Sequence, residues 1–274
     1  MEGGIVMLTE DQKKHLDALG YVILPGLLSP EKLEQVLARI EALWVEEGDQ
    51  AGKENYIEPG VRRLANLVNK GDIFREIFIH PLVIEAAETV MGPDVRLSML
   101  NAREVPPQDA GALQPFHCDT DNARTPDASG YFSCTAVWML DEFTIENGAT
   151  RLIPGTQRMG SVPADVLKDS YATHPEEIGL TGQPGDVGVF NGHCWHAGGL
   201  NQTDRPRRGL LAHYLRADIP RPSDRRQHIS SSVKETMTPR ELEILGVDEK
   251  QYGLRMKVAA SNLLRTLKTK LPVE

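Results

Sequence analysis

The pattern of apolar residues changes part-way along the chain, from helical spacing in the first third to short β-like segments further on. Thr9 begins a segment of helical spacing that ends at Gly20, and glycine is the residue type that most often closes a helix. Ser29 and Pro30 mark a second helix start, followed by apolar residues on one face over 33–43. A short strand is predicted over residues 21–24, and further short helices over 72–79 and 81–91.

After Gly92 and Pro93 the chain consists of short apolar segments separated by Gly, Pro, Asn and Asp. Many short strands in one region indicate a sandwich or jelly roll, whose wide mouth can hold a metal between two sheets. The predicted fold class is therefore mainly β with flanking helices. The predicted strands span residues 95–105, 115–119, 131–140, 150–153, 187–190 and 208–217.

The length of 274 residues allows one large β-rich domain or two small ones, and we favour a single domain over residues 1–274. This domain has a helical N-terminal part over 8–91 and a β core over about 95–217. A C-terminal helical extension is predicted over 238–270. The polar residues 220–232 between core and extension are predicted to form a loop.

Composition excludes several classes of protein. The net charge of -9 argues against a nucleic-acid partner, because nucleic-acid binding needs a basic face. Three cysteines fit a reducing cytoplasm better than a disulfide framework. The first residues lack the pattern of a signal peptide, and no apolar run approaches the roughly 20 residues that cross a bilayer. We expect a cytoplasmic protein without membrane contact, and the sequence leaves the oligomeric state open.

Candidate metal ligands lie in the run His117-Cys118-Asp119. In a strand, residues two apart point the same way, so His117 and Asp119 can bind one ion while Cys118 points elsewhere. A third ligand must come from a distant segment, and either His193 or His196 can supply it. Two imidazoles and one carboxylate are the ligand set of a mononuclear non-haem Fe(II) that keeps coordination positions open.

Arg207 follows His196 by eleven residues, which places it on the next antiparallel strand. Its planar guanidinium can bind a carboxylate through two parallel hydrogen bonds. The neighbouring Arg208 has the opposite strand parity and is expected to face solvent. His213 shares the parity of Arg207 and is a candidate for the pocket wall.

Together with these residues, a run from Glu146 to Thr156 and two N-terminal segments, 8–12 and 20–31, resemble the phytanoyl-CoA dioxygenase family of Fe(II)/2-oxoglutarate oxygenases. The likeness extends over most of residues 8–216. It implies a double-stranded β-helix, the jelly-roll or cupin-like core of that family. It also implies His196 as the third iron ligand, with His193 a surface residue or a support for the ligands, and Arg207 as the anchor of 2-oxoglutarate.

The resemblance further implies that Fe(II), 2-oxoglutarate and O₂ hydroxylate a small-molecule substrate, with release of succinate and CO₂. Asp119 argues against halogenation, because halogenases of this class carry a small residue in its place. Weaker implied contacts to 2-oxoglutarate are Thr135, Asn101 and Gln114. Two alternatives remain open: a non-catalytic cupin-like sensor of carboxylates, and an iron enzyme with the same three ligands that does not use 2-oxoglutarate.

Overall fold

The N-terminal helices begin and end where local sequence signals place them. The computed structural model describes residues 7–54, 60–107, 113–119, 126, 130–219 and 229–247. Thr9 caps the first helix in a capping box with Gln12, and Gly20 closes it with a left-handed φ of 82°. Ser29 caps the second helix, whose first residue is Pro30. The α-helices are α1 (Glu10–Leu19), α2 (Pro30–Glu47), α3 (Arg75–Phe78), α4 (Pro81–Met91), α5 (Pro163–Val166), α6 (Ser231–Lys234) and α7 (Pro239–Leu245).

Two antiparallel sheets form the centre of the molecule. The strands are β1 (Tyr21–Leu24), β2 (Arg62–Leu64), β3 (Val95–Val105), β4 (Ser133–Met139), β5 (Arg151–Ile153), β6 (Ile178–Gly179), β7 (Val187–Asn191), β8 (Trp195–Ala197) and β9 (Arg207–Arg216). The major sheet has the order β1-β7-β4-β9-β3-β2, and the minor sheet has the order β6-β5-β8. This arrangement confirms the predicted mainly β fold with flanking helices and its double-stranded β-helix core.

The register of the major sheet decides which side chains face the minor sheet. Thr135 on β4 lies opposite Phe190 on β7 and opposite His213 on β9. Because side chains alternate along a strand, Thr135 and Val137 share one face while Ala136 and Trp138 share the other. Trp138 belongs to the large apolar cluster that includes residues of α2, α3 and α4, so the N-terminal helices cover the outer face of the sheet.

Two segments differ from the sequence prediction. Residues 115–119 form no strand; His117 makes an isolated bridge to His196 instead. His196 itself lies in the short strand β8, which is not among the predicted strands. A pairing of this kind joins residues far apart in the chain, so local propensity does not reveal it.

Smaller differences concern the first helical segment after residue 70 and the C-terminal region. The predicted helix over 72–79 is a 3₁₀ turn, Asp72–Phe74, followed by the single turn of α3. Ser231–Lys234 is helical at the end of the predicted loop. Residues 248–274, which include most of the predicted extension, lie outside the described residues. Within the described ranges, no helix is long and apolar enough to cross a membrane.

Gly20 tests how tightly the end of α1 packs against the β core. A Cβ at position 20 would collide with Cys194 Sγ and the Gln157 amide. We expect Gly20→Ala to lower the free energy of unfolding by about 2–4 kcal/mol, from left-handed backbone strain and overpacking together. Gly26→Ala is the matched control, since its φ is 63° with nothing within 4 Å of the added carbon. Urea denaturation measures both; equal losses would show that crowding at position 20 contributes nothing.

Candidate metal centre

A pair of main-chain hydrogen bonds brings the two candidate histidine ligands together. His117 N donates to His196 O at 2.9 Å, and His196 N donates to His117 O at 3.0 Å. Two residues later, Asp119 N donates to Gly192 O at 2.8 Å. The imidazole rings of His117 and His196 therefore lie side by side, with centroids 4.4 Å apart.

His117, Asp119 and His196 form a compact donor set. One ligand atom from each lies within 4.8 Å of the others. His196 Nε2 lies 3.5 Å from Asp119 Oδ2. Two imidazole nitrogens and one carboxylate oxygen suit Fe(II), and three protein ligands leave positions open for other molecules. The residues present therefore fit the metal that the sequence predicts.

Backbone carbonyls select the nitrogen that each histidine offers. His117 Nδ1 lies 3.0 Å from Pro115 O, and His196 Nδ1 lies 2.9 Å from Cys194 O. A carbonyl only accepts hydrogen bonds, so both Nδ1 atoms carry the proton. Each Nε2 is then left with a lone pair for a metal, which is how metal-binding imidazoles are usually oriented.

Charge in the site is arranged for a cation. Burial alone would raise the pKa of Asp119, but the positive charge of the neighbouring imidazoles, His196 foremost, holds it well below its usual range. Burial would likewise lower the pKa of His196, and the Asp119 carboxylate reverses this and raises it. Asp119 is thus ionised at neutral pH, and a metal that binds His196 displaces the proton favoured there.

Two residues beside the ligands, His193 and Cys118, are not suited to bind the metal. His193 is buried, and its Nε2 accepts a hydrogen bond from Phe132 N at 3.1 Å. His193 therefore joins the turn between β7 and β8 to the residue just before β4. It is not a surface residue. Burial, with a smaller contribution from Asp119, raises the pKa of Cys118 to about 12, so this thiol stays protonated. A protonated thiol is a poor metal ligand.

The three ligands open onto a cavity of about 300 Å³ between the two sheets. This volume is at the lower end of the range for small-molecule sites. The walls combine polar and apolar side chains. The lining residues are Arg63, Met99, Arg103, Gln114, His117, Asp119, Thr135, Val137, Thr150, Phe190, His196, Ala197, Gly198 and Leu211.

Two of the three residues predicted as weaker contacts to 2-oxoglutarate line the cavity. Gln114 lines the cavity, and its Oε1 accepts from Gly198 N at 3.0 Å. Thr135 lines it too, but its hydroxyl donates to Asp119 Oδ2 at 3.0 Å. Asn101 is not among the described residues that line the cavity; its Oδ1 accepts from Asn66 N at 3.2 Å.

Arg207 is buried at the beginning of β9. Its guanidinium carbon lies 4.2 Å from the centre of the Phe143 ring, and its Nε donates to Asn147 O at 3.3 Å. Leu211, four residues along the same face of β9, lines the cavity, whereas Arg207 is not among its described lining residues. Arg208 does not simply face solvent, because it forms ion pairs with Asp141 at 2.8 Å and Glu41 at 3.0 Å.

Sequence reasoning missed two basic residues of the cavity wall, Arg63 and Arg103. They are direct cross-strand partners on β2 and β3. On the opposite face, the adjacent pair Arg62 and Glu104 forms an ion pair at 2.8 Å. A signal was present, since charged residues interrupt the apolar pattern of β3, but only the pairing with β2 shows which of them face inward.

Known proteins agree with this geometry. The family model of the phytanoyl-CoA dioxygenases matches residues 16–209, which is more than half of the chain. The chain belongs to the phytanoyl-CoA dioxygenase family. Dioxygenase trt7 of Aspergillus terreus is 30% identical over 236 residues, covering 83% of this chain and 80% of that protein. The Fe(II)/2-oxoglutarate-dependent dioxygenase nvfF of Aspergillus novofumigatus is 28% identical over 240 residues, covering 83% and 78%.

A solved structure shows the same fold. The epimerase SnoN, in complex with Fe³⁺, alpha ketoglutarate and nogalamycin RO, matches with a TM-score of 0.59 and 24% identity over 78% of this chain and 86% of that one. Family membership and the three-ligand site together show that this protein is a dioxygenase that uses Fe(II) and 2-oxoglutarate.

Removal of a ligand should abolish iron binding without unfolding the protein. We expect His117→Ala, Asp119→Ala and His196→Ala each to purify without iron, because two remaining ligands hold the ion weakly, with circular dichroism close to wild type. His193→Ala should keep iron but lose about 1–3 kcal/mol of stability, since it leaves Phe132 N without its acceptor. Iron content and thermal unfolding measure both effects. Iron retained in His196→Ala but lost in His193→Ala would show that the third ligand is misassigned.

Proposed function

We propose that this dioxygenase hydroxylates a C–H bond of a small-molecule substrate. The observation that carries the proposal is the position of the three ligands on the wall of one cavity, and three protein ligands would leave coordination positions of a bound iron open. When bound, iron with 2-oxoglutarate and O₂ supplies the oxidising power for C–H cleavage, and succinate and CO₂ are released. His117, Asp119 and His196 hold the metal.

The other walls orient the substrate and exclude water. Met99, Val137 and Leu211 give the cavity an apolar side, which favours a hydrocarbon portion of the substrate near the metal. Hydroxylation is favoured over halogenation because Asp119 occupies the carboxylate position. SnoN, on the same fold, is named an epimerase, so the product has to be measured rather than assumed from the fold.

Arg207 is our proposed anchor for the far carboxylate of 2-oxoglutarate. Three features support it: its burial, its place on the face of β9 that reaches the cavity at Leu211, and its spacing after His196. Arg103 is the competing candidate, because it lines the cavity beside Gly198, which follows His196 by two residues. Either guanidinium can pair with a carboxylate through two hydrogen bonds.

Anaerobic titration of 2-oxoglutarate into the Fe(II) protein, followed by charge-transfer absorbance, separates these candidates. We expect Arg207→Ala to weaken 2-oxoglutarate binding by about 2–5 kcal/mol, the range for truncating one partner of a buried charge pair. Arg207→Lys should recover only part, since a point charge cannot replace the planar fork. Arg208→Ala is the matched control, on the same strand but paired with Asp141, and should leave the dissociation constant unchanged.

An unchanged dissociation constant in Arg207→Ala, with a large loss in Arg103→Ala, would transfer the anchor to Arg103. The absence of any absorbance band in wild type would instead favour an enzyme or sensor that does not use 2-oxoglutarate.

The type of reaction is tested by isotope labelling. A panel of small hydrophobic and polar metabolites is incubated with Fe(II), 2-oxoglutarate and ¹⁸O₂, and products are analysed by mass spectrometry. We expect a true substrate to gain one ¹⁸O atom per succinate formed. A product that has lost hydrogen or changed configuration without gaining oxygen would contradict hydroxylation while leaving the dioxygenase assignment intact.

A further inference from the structure

The carboxylate of Asp119 is held from the inner face of the major sheet, by a side chain that is not itself a metal ligand. Thr135 Oγ1 donates to Asp119 Oδ2 at 3.0 Å. Thr135 is 2% exposed, in the middle of β4, so the hydroxyl has little access to water as an alternative partner. A charge-assisted hydrogen bond from a buried donor is among the stronger polar contacts in a protein.

A second side chain continues this contact. His213 Nδ1 lies 2.8 Å from Thr135 Oγ1 and 3.7 Å from Asp119 Oδ2. The longer distance is outside hydrogen-bond range, so the hydrogen-bonded path from His213 to the carboxylate runs through the hydroxyl. Thr135 has one proton, and the carboxylate oxygen can only accept it. His213 Nδ1 must therefore carry a proton and donate it to Thr135 Oγ1.

The direction of each hydrogen bond is thus fixed along the path from His213 to Thr135 to Asp119. The sheet fixes the geometry as well, because Thr135 and His213 are direct cross-strand partners on β4 and β9. His213 is 2% exposed and pairs on its other side with Met99 of β3. The β-branched Thr135 also has restricted rotation about χ1.

Asp119 needs such support because its own segment contains no regular strand. Its main chain is joined to the core by the hydrogen bond from Asp119 N to Gly192 O, at 2.8 Å. A main-chain contact does not set the rotation of the carboxylate about its side-chain bonds. The Thr135 hydroxyl does set it, because it is hydrogen-bonded to the same Oδ2 that lies 3.5 Å from His196 Nε2.

We propose that Thr135 and His213 are positioning residues that fix the rotation of the Asp119 carboxylate for metal binding, and that His213 acts through the Thr135 hydroxyl. Neither residue touches the reacting atoms in this scheme. The inference rests on the metal site alone and does not depend on the proposed hydroxylation, on 2-oxoglutarate or on the anchor residue.

Metal affinity without cosubstrate tests the first part. Fe(II) is titrated anaerobically into the apoprotein, and Co(II) absorbance reports the coordination of the bound ion. We expect Thr135→Val to weaken Fe(II) binding by about 10–100-fold and to change the Co(II) spectrum, as loss of a ligand's supporting hydrogen bond does elsewhere. Thr135→Ser should restore affinity to within about threefold, since it keeps the hydroxyl. Thr150→Val is the matched control, a hydroxyl lost from the same cavity wall.

A wild-type affinity in Thr135→Val would overturn the proposal. So would a loss in Thr150→Val equal to that in Thr135→Val, because the effect would then belong to the cavity and not to Asp119.

A double-mutant cycle tests the second part. His213→Leu removes the donor and should weaken Fe(II) binding by less than Thr135→Val does, whereas His213→Asn keeps an N–H donor and should bind nearly as wild type. In the Thr135→Val background, His213→Leu should cause a much smaller loss than it causes in the wild-type background. Additive losses would overturn an action through Thr135. Should Thr135→Val fail to fold, the comparison of His213→Leu with His213→Asn decides, and equal affinities in these two variants would contradict the proposal.

Discussion

The two hydrogen bonds between the main chains of His117 and His196 are the contact on which the metal centre depends. They join a segment without regular strand structure to β8, whose residues are almost eighty positions away in the chain. Once these two residues are cross-strand neighbours, Asp119 follows at the spacing that puts its carboxylate beside the two rings. Without the pairing, the segment that carries His117 and Asp119 would lose its hydrogen bonds to β8 and His196.

The two sheets contribute different parts of the centre. The edge of the minor sheet at β8 supplies His196 and positions His117, while the inner face of the major sheet supplies Thr135 and His213 beneath Asp119. Carbonyls next to the ligands fix the histidine tautomers. The ligands are therefore oriented before a metal arrives, and binding does not have to order them.

Local signals in the sequence predict α1, α2, α4 and most strands well, because signals such as those at Thr9, Gly20, Ser29 and Pro30 act over a few residues. The identity of the metal ligands also follows from spacing and family resemblance. The support of Asp119 could not be predicted. The contact of Thr135 with the cosubstrate stays a prediction, and the register of β4 against β9 places its hydroxyl against the Asp119 carboxylate. Arg63 and Arg103 were missed for the same reason, since register is set by long-range pairing.

Succinate formation from 2-oxoglutarate tests most directly whether these three ligands make an oxygen-activating iron site. In uncoupled turnover, 2-oxoglutarate is converted to succinate in the absence of substrate. The measurement can therefore be made before the substrate is known, with wild-type protein, Fe(II), 2-oxoglutarate and air. The account predicts succinate in wild type and none without iron, without O₂ or in Asp119→Ala. Succinate formed equally by Asp119→Ala, or none formed by iron-loaded wild type, would contradict it.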